Sequence, residues 1–249
     1  MKALHIEHSP QHVVVRLNRP QVRNAIDQQM VDELHELCAE LEQHPKILIV
    51  TGCETEKGAI FASGADISQL RERRNTDALR GINSTIFRRI AALPMPVIAA
   101  IDGFALGGGA ELAFAADFRL GTPRIRIGNP ETGLGIMAAA GATWRLIELV
   151  GEPVAKEILL AGRVLNAEEA LALHLITGIH EPELLMDAAI ALATRISTQD
   201  PLAVRLTKKV MHAPRESHPL VEELAQAILF ESPEKFTRMD AFLNKKNGK

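Results

Sequence analysis

The chain has no tyrosine, one tryptophan and eight phenylalanines among 249 residues, so it lacks the stacking platforms used to hold single-stranded nucleic acid. Cysteine is almost as scarce. Cys38 and Cys53 stand alone without metal-ligand or redox spacing, which argues against a disulfide scaffold and for a reducing, cytoplasmic setting. No apolar run approaches the length of a membrane span, so no membrane partner is expected. Neither sign of charge dominates: 28 basic residues face 31 acidic ones, and nothing there suggests a general nucleic-acid or membrane-surface binder. Several familiar site motifs are missing as well. There is no G-x-x-x-x-G-K-[ST] phosphate loop, no H-E-x-x-H zinc helix and no G-x-S-x-G elbow, so neither a metal site nor covalent catalysis is advertised.

What is present is enough apolar matter for a full core, 47% of the residues, in a pattern of strands and helices by turns. Leu4–Glu7 and Val13–Leu17 read as paired strands rather than as a signal sequence. Asp27 is placed to N-cap a helix through about Gln43, with Met30, Leu34, Leu37, Cys38 and Leu41 on one face. Ile47–Val50 is a short, wholly apolar strand of the kind buried in a parallel sheet. Ile60–Ala62 is another extended piece, and a single charged helix is expected from about Asp77 to Leu93, stopped by Pro94 and Pro96. Val97–Ile101 is the next strand and leads to a glycine turn and its helix; Phe118–Leu120 and Ile125–Ile127 follow, and Leu175–Ile176 is a further short candidate. From about Ala140 the pattern is mostly helical, which gives an α/β core to about residue 180 and a helical C-terminal portion.

The run Gly107-Gly108-Gly109-Ala110-Glu111 is the most informative feature. Glycines at a strand-to-helix turn leave backbone N–H groups bare, and the helix behind them adds the positive end of its dipole. A carboxylate one turn on can reach the same spot, as an acid or base beside an oxyanion hole would. A dinucleotide fingerprint would need a third small residue where Leu112 stands, although Glu131 does follow Glu111 by 20 positions. A second candidate amide site is the small-residue turn Ser63-Gly64-Ala65-Asp66-Ile67, which leads into a helix start. A second carboxylate is Glu131, inside a loop crowded with Pro130, Gly128, Gly133 and Gly135. Taken singly, each of these also fits a plain glycine-rich loop or a solvated surface acid.

Taken in order they resemble a known family. Leu17-Asn18-Arg19-Pro20 with Asn24-Ala25, Phe61-Ala62-Ser63-Gly64-Ala65-Asp66-Ile67, Asp102 through Glu111, and Asn129-Pro130-Glu131 look like the enoyl-CoA hydratase/isomerase (crotonase) family. The match runs from about residue 4 to 243. It implies an α/β crotonase-like spiral of ββα units over residues 1–190, carrying the coenzyme A thioester site. It also implies a helical C-terminal region, 191–249, that builds homotrimers or homohexamers. By the same resemblance the substrate is an acyl-CoA thioester, with coenzyme A part of the substrate and no separate cofactor. Ala65 and Gly108 map to the two amides that hold the thioester oxygen. Glu111 and Glu131 map to the catalytic acids, Glu131 delivering the α-proton and Glu111 holding or deprotonating water. Arg23, Ser63, Ala65, Asp66, Ile67, Gly107, Gly108 and Ala139 map to substrate or coenzyme A contacts.

Keeping both glutamates favours an enoyl-CoA hydratase that forms 3-hydroxyacyl-CoA over a Δ3,Δ2-enoyl-CoA isomerase or another lyase of the family. A non-catalytic coenzyme A- or RNA-binding scaffold is the reading from a different class. The chain departs from the family in Ala138-Ala139-Ala140-Gly141-Ala142-Thr143-Trp144-Arg145-Leu146, where relatives carry Pro-Gly-x-Gly-Gly-Thr-Gln-Arg-Leu. Trp144 replaces the usual Gln, and added methyls beside the pocket bear on acyl-chain specificity more than on the reaction. Near the C-terminus, Thr237-Arg238 stands where Glu-Gly is common.

Overall fold

The structure is a computed structural model that describes residues 1–247. Its chain divides into two compact units, Met1–Thr194 and Arg195–Lys249.

The first unit is built on two five-stranded sheets. The strands are β1 (Leu4–His8), β2 (His12–Leu17), β3 (Ile47–Thr51), β4 (Cys53–Thr55), β5 (Gly58–Ala62), β6 (Val97–Ile101), β7 (Phe104–Leu106), β8 (Phe118–Gly121), β9 (Arg126–Gly128) and β10 (Val164–Leu165). One sheet runs β1-β2-β3-β6-β8, antiparallel only at the β1–β2 hairpin; the other runs β10-β9-β7-β5-β4, parallel through β5, β7 and β9. Successive strands thus alternate between sheets: β3 then β5, β6 then β7, β8 then β9. Each pair is followed by helix, and the repeat is a ββα coil.

The helices of this unit are α1 (Gln28–Gln43), α2 (Ile67–Glu72), α3 (Asn75–Arg80), α4 (Ile82–Ala91), α5 (Gly108–Phe114), α6 (Ala142–Val150), α7 (Glu152–Ala161), α8 (Ala167–Ala172) and α9 (Leu185–Ser197), the last running on into the second unit. Asp27 caps α1 by accepting from the Met30 amide, and the expected face of Met30, Leu34, Leu37, Cys38 and Leu41 is buried. Strands β3 and β6 are buried along their whole length, as continuous apolar runs between two covered faces must be. The second unit holds the rest of α9, then α10 (Pro201–Met211), α11 (Leu220–Phe230) and α12 (Pro233–Asn247). Among the described residues, no helix is long and apolar enough to cross a membrane.

Three expectations are corrected. The charged helix drawn from Asp77 to Leu93 is two helices, because Gly81 adopts φ 61° and ends α3 with a left-handed residue before α4 begins. Leu175–Ile176 is not a strand; both residues are fully buried in a bend, and the bridge to β8 is made by Ile179 instead. The glycine run does not leave Val97–Ile101 directly, since the short strand β7 intervenes and carries it to the second sheet.

Two of the three glycines of that run are required, for different reasons. Gly107 sits at φ 53°, ψ −125°, a region that a Cβ forbids. At Gly108 a Cβ would stand at ordinary contact distance, 3.4 Å from the Ala65 nitrogen. At Gly109 it would fall 2.3 Å from the Ala62 carbonyl oxygen, so α5 can lie on β5 only without a side chain there. Gly109→Ala should therefore force the helix off the strand and lower unfolding free energy by about 1–3 kcal/mol in urea titration. A Gly109→Ala protein with wild-type stability would show that this contact is not tight.

Candidate active site

Two backbone amides are aimed at one place by the same rule: in a trans peptide the N–H points opposite to the C=O. Ile26 donates to the Gly64 carbonyl at 2.8 Å and accepts from the Asp66 amide at 3.0 Å, so the Ala65 N–H is turned away from Ile26. The Gly107 carbonyl accepts from the Glu111 amide at 3.0 Å as the first bond of α5, so the Gly108 N–H points out of the helix N-terminus. Among the described residues neither amide donates to a carbonyl. The two turns touch: the Ala65 nitrogen is 3.4 Å from where a Cβ on Gly108 would lie.

The Ala65 turn is held from behind by Arg19. Its guanidinium pairs with Asp27 at 3.0 Å and Asp66 at 3.6 Å, and donates to the Ala25 carbonyl. Asn24, wholly buried at φ 53°, donates to the Phe61 carbonyl at 3.0 Å and accepts from the Arg19 amide at 2.8 Å. The segment from Leu17 to Ala25 thus acts as a clamp on the loop that presents Ala65.

Both glutamates line the same cavity, of about 500 Å³. Glu111, the fourth residue of α5, is 3% exposed. Its Oε1 accepts from the Ala140 amide at 2.6 Å and the Ala142 amide at 3.1 Å. Burial pushes its pKa up to about 7, the Glu131 charge adds to that rise, and the two amides oppose it. Glu131 opens a single 3-10 turn, Glu131–Leu134. Its Oε1 accepts from Asn129 Nδ2 at 3.4 Å while Oε2 is buried without a partner among the described residues. Burial raises its pKa too, with the hydrogen bond from Asn129 opposing. Two acids whose pKa values are both raised by burial can exchange protons with a substrate in either direction.

The other candidate residues separate into two groups. Ser63, Ala65, Ile67, Gly107, Gly108 and Ala139 line the cavity. Asp66 does not; it caps α2 by accepting from the Ser68 and Gln69 amides and pairs with Arg19, so its part is to shape the loop. Arg23 is also outside the lining, with its guanidinium 5.0 Å from the Phe104 ring centre and its Nε buried without a partner among the described residues. Trp144 is half exposed on α6, stacked 4.0 Å from the Arg145 guanidinium, and does not reach the cavity. The charged stretch Arg71-Glu72-Arg73-Arg74 contributes Arg73 and Arg74 to the lining.

Sequence reading missed Asn83, which lines the cavity from α4, and the Ala140 and Ala142 amides that bind Glu111. Main-chain donors leave no mark on residue type. Asn83 lay within the helix mistakenly drawn as one charged segment.

A two-sheet α/β coil with one buried and one half-buried carboxylate and bare amides around one cavity defines an enzyme of the ββα spiral type. A sequence profile described as enoyl-CoA hydratase/isomerase matches residues 9–247, and the chain belongs to that family. It is 38% identical over 203 residues to the short-chain-enoyl-CoA hydratase of Clostridium acetobutylicum, covering 80% of this chain and 77% of that protein. It is 34% identical over 251 residues to the crotonyl-CoA hydratase of Syntrophomonas wolfei, covering 98% and 95%. The crystal structure of an enoyl-CoA hydratase from Bacillus anthracis matches at a TM-score of 0.89 and 29% identity, covering 98% of this chain and 96% of that one.

The raised pKa of Glu111 has a thermodynamic consequence. Between the ordinary value of 4.5 and about 7 the folded protein keeps a proton that the unfolded chain has released. More protons are then bound in the folded state, so stability falls as pH climbs through that window and stays lower above it. Glu111→Gln keeps a carbonyl for the Ala140 and Ala142 amides but cannot ionise. It should be more stable than wild type at pH 8 by up to about 3 kcal/mol, and by clearly less at pH 5, in urea unfolding. An equal difference at both pH values would rule out this titration.

Proposed function

We propose that the chain is an enoyl-CoA hydratase, adding water to a 2-trans-enoyl-CoA to give a 3-hydroxyacyl-CoA without a metal or separate cofactor. The single observation that carries this reading is the convergence of two unspent amides, the buried Glu111 and the half-buried Glu131 on one cavity. Addition of water at the β-carbon places negative charge on the thioester oxygen. The Ala65 and Gly108 N–H groups are the donors for that oxygen, one of them at a helix N-terminus, and their orientation is fixed before substrate arrives. Removing one donor of this kind typically costs about 3 kcal/mol of transition-state stabilisation.

Glu131, with one oxygen unpartnered, delivers the α-proton. Glu111, its Oε1 occupied by two amides, uses the other oxygen to hold and deprotonate water. Because the two acids interact, they titrate as a pair rather than separately. Ser63, Ile67, Gly107 and Ala139 line the path of the thioester, and Arg23 stands outside the cavity as a cation for the coenzyme's phosphates. The names of the relatives support the same chemistry, and we place that chemistry in fatty-acid β-oxidation in the cytoplasm. An isomerase uses the same oxyanion site but needs only one proton shuttle; retention of both acids favours hydration.

We also infer a homotrimer or homohexamer. In the second unit Leu220, Leu224, Ile228, Phe236, Phe242 and Leu243 are each more than half exposed, an apolar surface that calls for cover. Light scattering should give three or six times the 27.2 kDa chain mass. A monomer at micromolar concentration would refute it.

Purified protein should hydrate crotonyl-CoA, followed as loss of enoyl absorbance. Glu111→Gln and Glu131→Gln should each lower kcat by about 100-fold or more with KM little changed. Near-full activity in either variant would exclude the two-acid mechanism. Conversion of 3-enoyl-CoA without hydration would select the isomerase instead.

A further inference from the structure

The wall of the cavity is mainly apolar, with Ile67, Leu70, Ile82, Leu134, Ile136 and Met137 among its residues. Asn83 breaks that pattern. It projects from the first turn of α4 into the lining, and its Nδ2 stands 3.5 Å from where a Cβ on Gly108 would lie. Its Oδ1 is buried and has no hydrogen-bond partner among the described residues. Neither of its carboxamide atoms takes part in the clamp on Ala65 or in the bonds that hold Glu111 and Glu131.

An unpaired carboxamide beside an oily wall is costly to cover with hydrocarbon, since a buried polar group without a partner keeps its full desolvation penalty. The same group rewards a ligand that supplies a hydrogen bond. A half-turn of the side-chain amide exchanges its oxygen and nitrogen, so Asn83 can meet a hydroxyl as acceptor or as donor. Its nearness to Gly108 places it beside the first few carbons of an acyl chain whose thioester oxygen is held by the Gly108 amide, not at a remote chain end.

We propose that Asn83 is a specificity-determining residue that selects short acyl-CoA thioesters carrying a hydroxyl close to the reacting carbons, over plain hydrocarbon chains. This rests on the assignment of the cavity to a CoA thioester. A site built to bond a substrate hydroxyl discriminates against the analogue that lacks it, because the site's own polar group is then left unpaired.

The test uses saturated thioesters, which bind without reacting. Calorimetric Kd values for butyryl-CoA and 4-hydroxybutyryl-CoA are measured on the wild-type protein and on Asn83→Leu, a change of similar volume. The wild type should bind the hydroxylated thioester about tenfold or more tightly, and Asn83→Leu should lose or reverse that ratio. Equal binding of the two thioesters by wild type overturns the proposal even if the variant does not fold. A preference that survives in Asn83→Leu also overturns it. Failure of wild type to bind either thioester removes the acyl-CoA reading itself and this proposal with it, an outcome distinct from the other two.

Discussion

A planar trans peptide that anchors its carbonyl has no choice about where its N–H points, and the site depends on that constraint twice. Ile26 takes the Gly64 carbonyl, and α5 takes the Gly107 carbonyl for its first hydrogen bond. The two amides one atom further on, Ala65 and Gly108, are therefore committed to the cavity by bonds made behind them. Preorganisation of this kind needs no flexible side chain, so the two donors are ordered before any acceptor arrives. The close approach of Gly109 to Ala62 and the Arg19 bonds to Asp27 and Asp66 serve the same end, fixing each turn against its neighbour.

Burial and hydrogen bonding compete at Glu111, and burial wins. Two backbone amides on Oε1 would by themselves keep the carboxyl well ionised, yet its pKa is pushed up to about 7. Desolvation is the largest cause and the neighbouring Glu131 charge acts in the same direction. The structure thus spends stability above neutral pH to hold a carboxyl where its proton can leave or return. A fold selected only for stability would place a neutral residue there.

The sequence disclosed side chains and pattern well and main-chain direction poorly. The face of α1, the buried strands β3 and β6, and the loops carrying Ala65, Gly108, Glu111 and Glu131 were all legible from periodicity and from glycine and proline placement. The short strands β4, β7 and β10 were not, since two or three residues carry too little pattern. The break at Gly81 was hidden because one glycine within a charged helical stretch reads as tolerated. Asp66 looked like a binding residue from its place in the motif, but its carboxylate is occupied in capping α2 and pairing with Arg19.

The alanine-rich departure at 138–142 shows why reaction and specificity can diverge within one loop. Glu111 is held by the amides of Ala140 and Ala142, and an amide is indifferent to the side chain beside it. Gly141 between them keeps φ 126°, a conformation that alanine would resist, so the one glycine the clamp geometry requires is retained. Ala139 and Ala140 meanwhile join the cavity wall. Substitution here changes the volume of the cavity while leaving the acid in place. The placing of Glu111 is carried by backbone amides, and the shape of the pocket is carried by side chains free to vary around them.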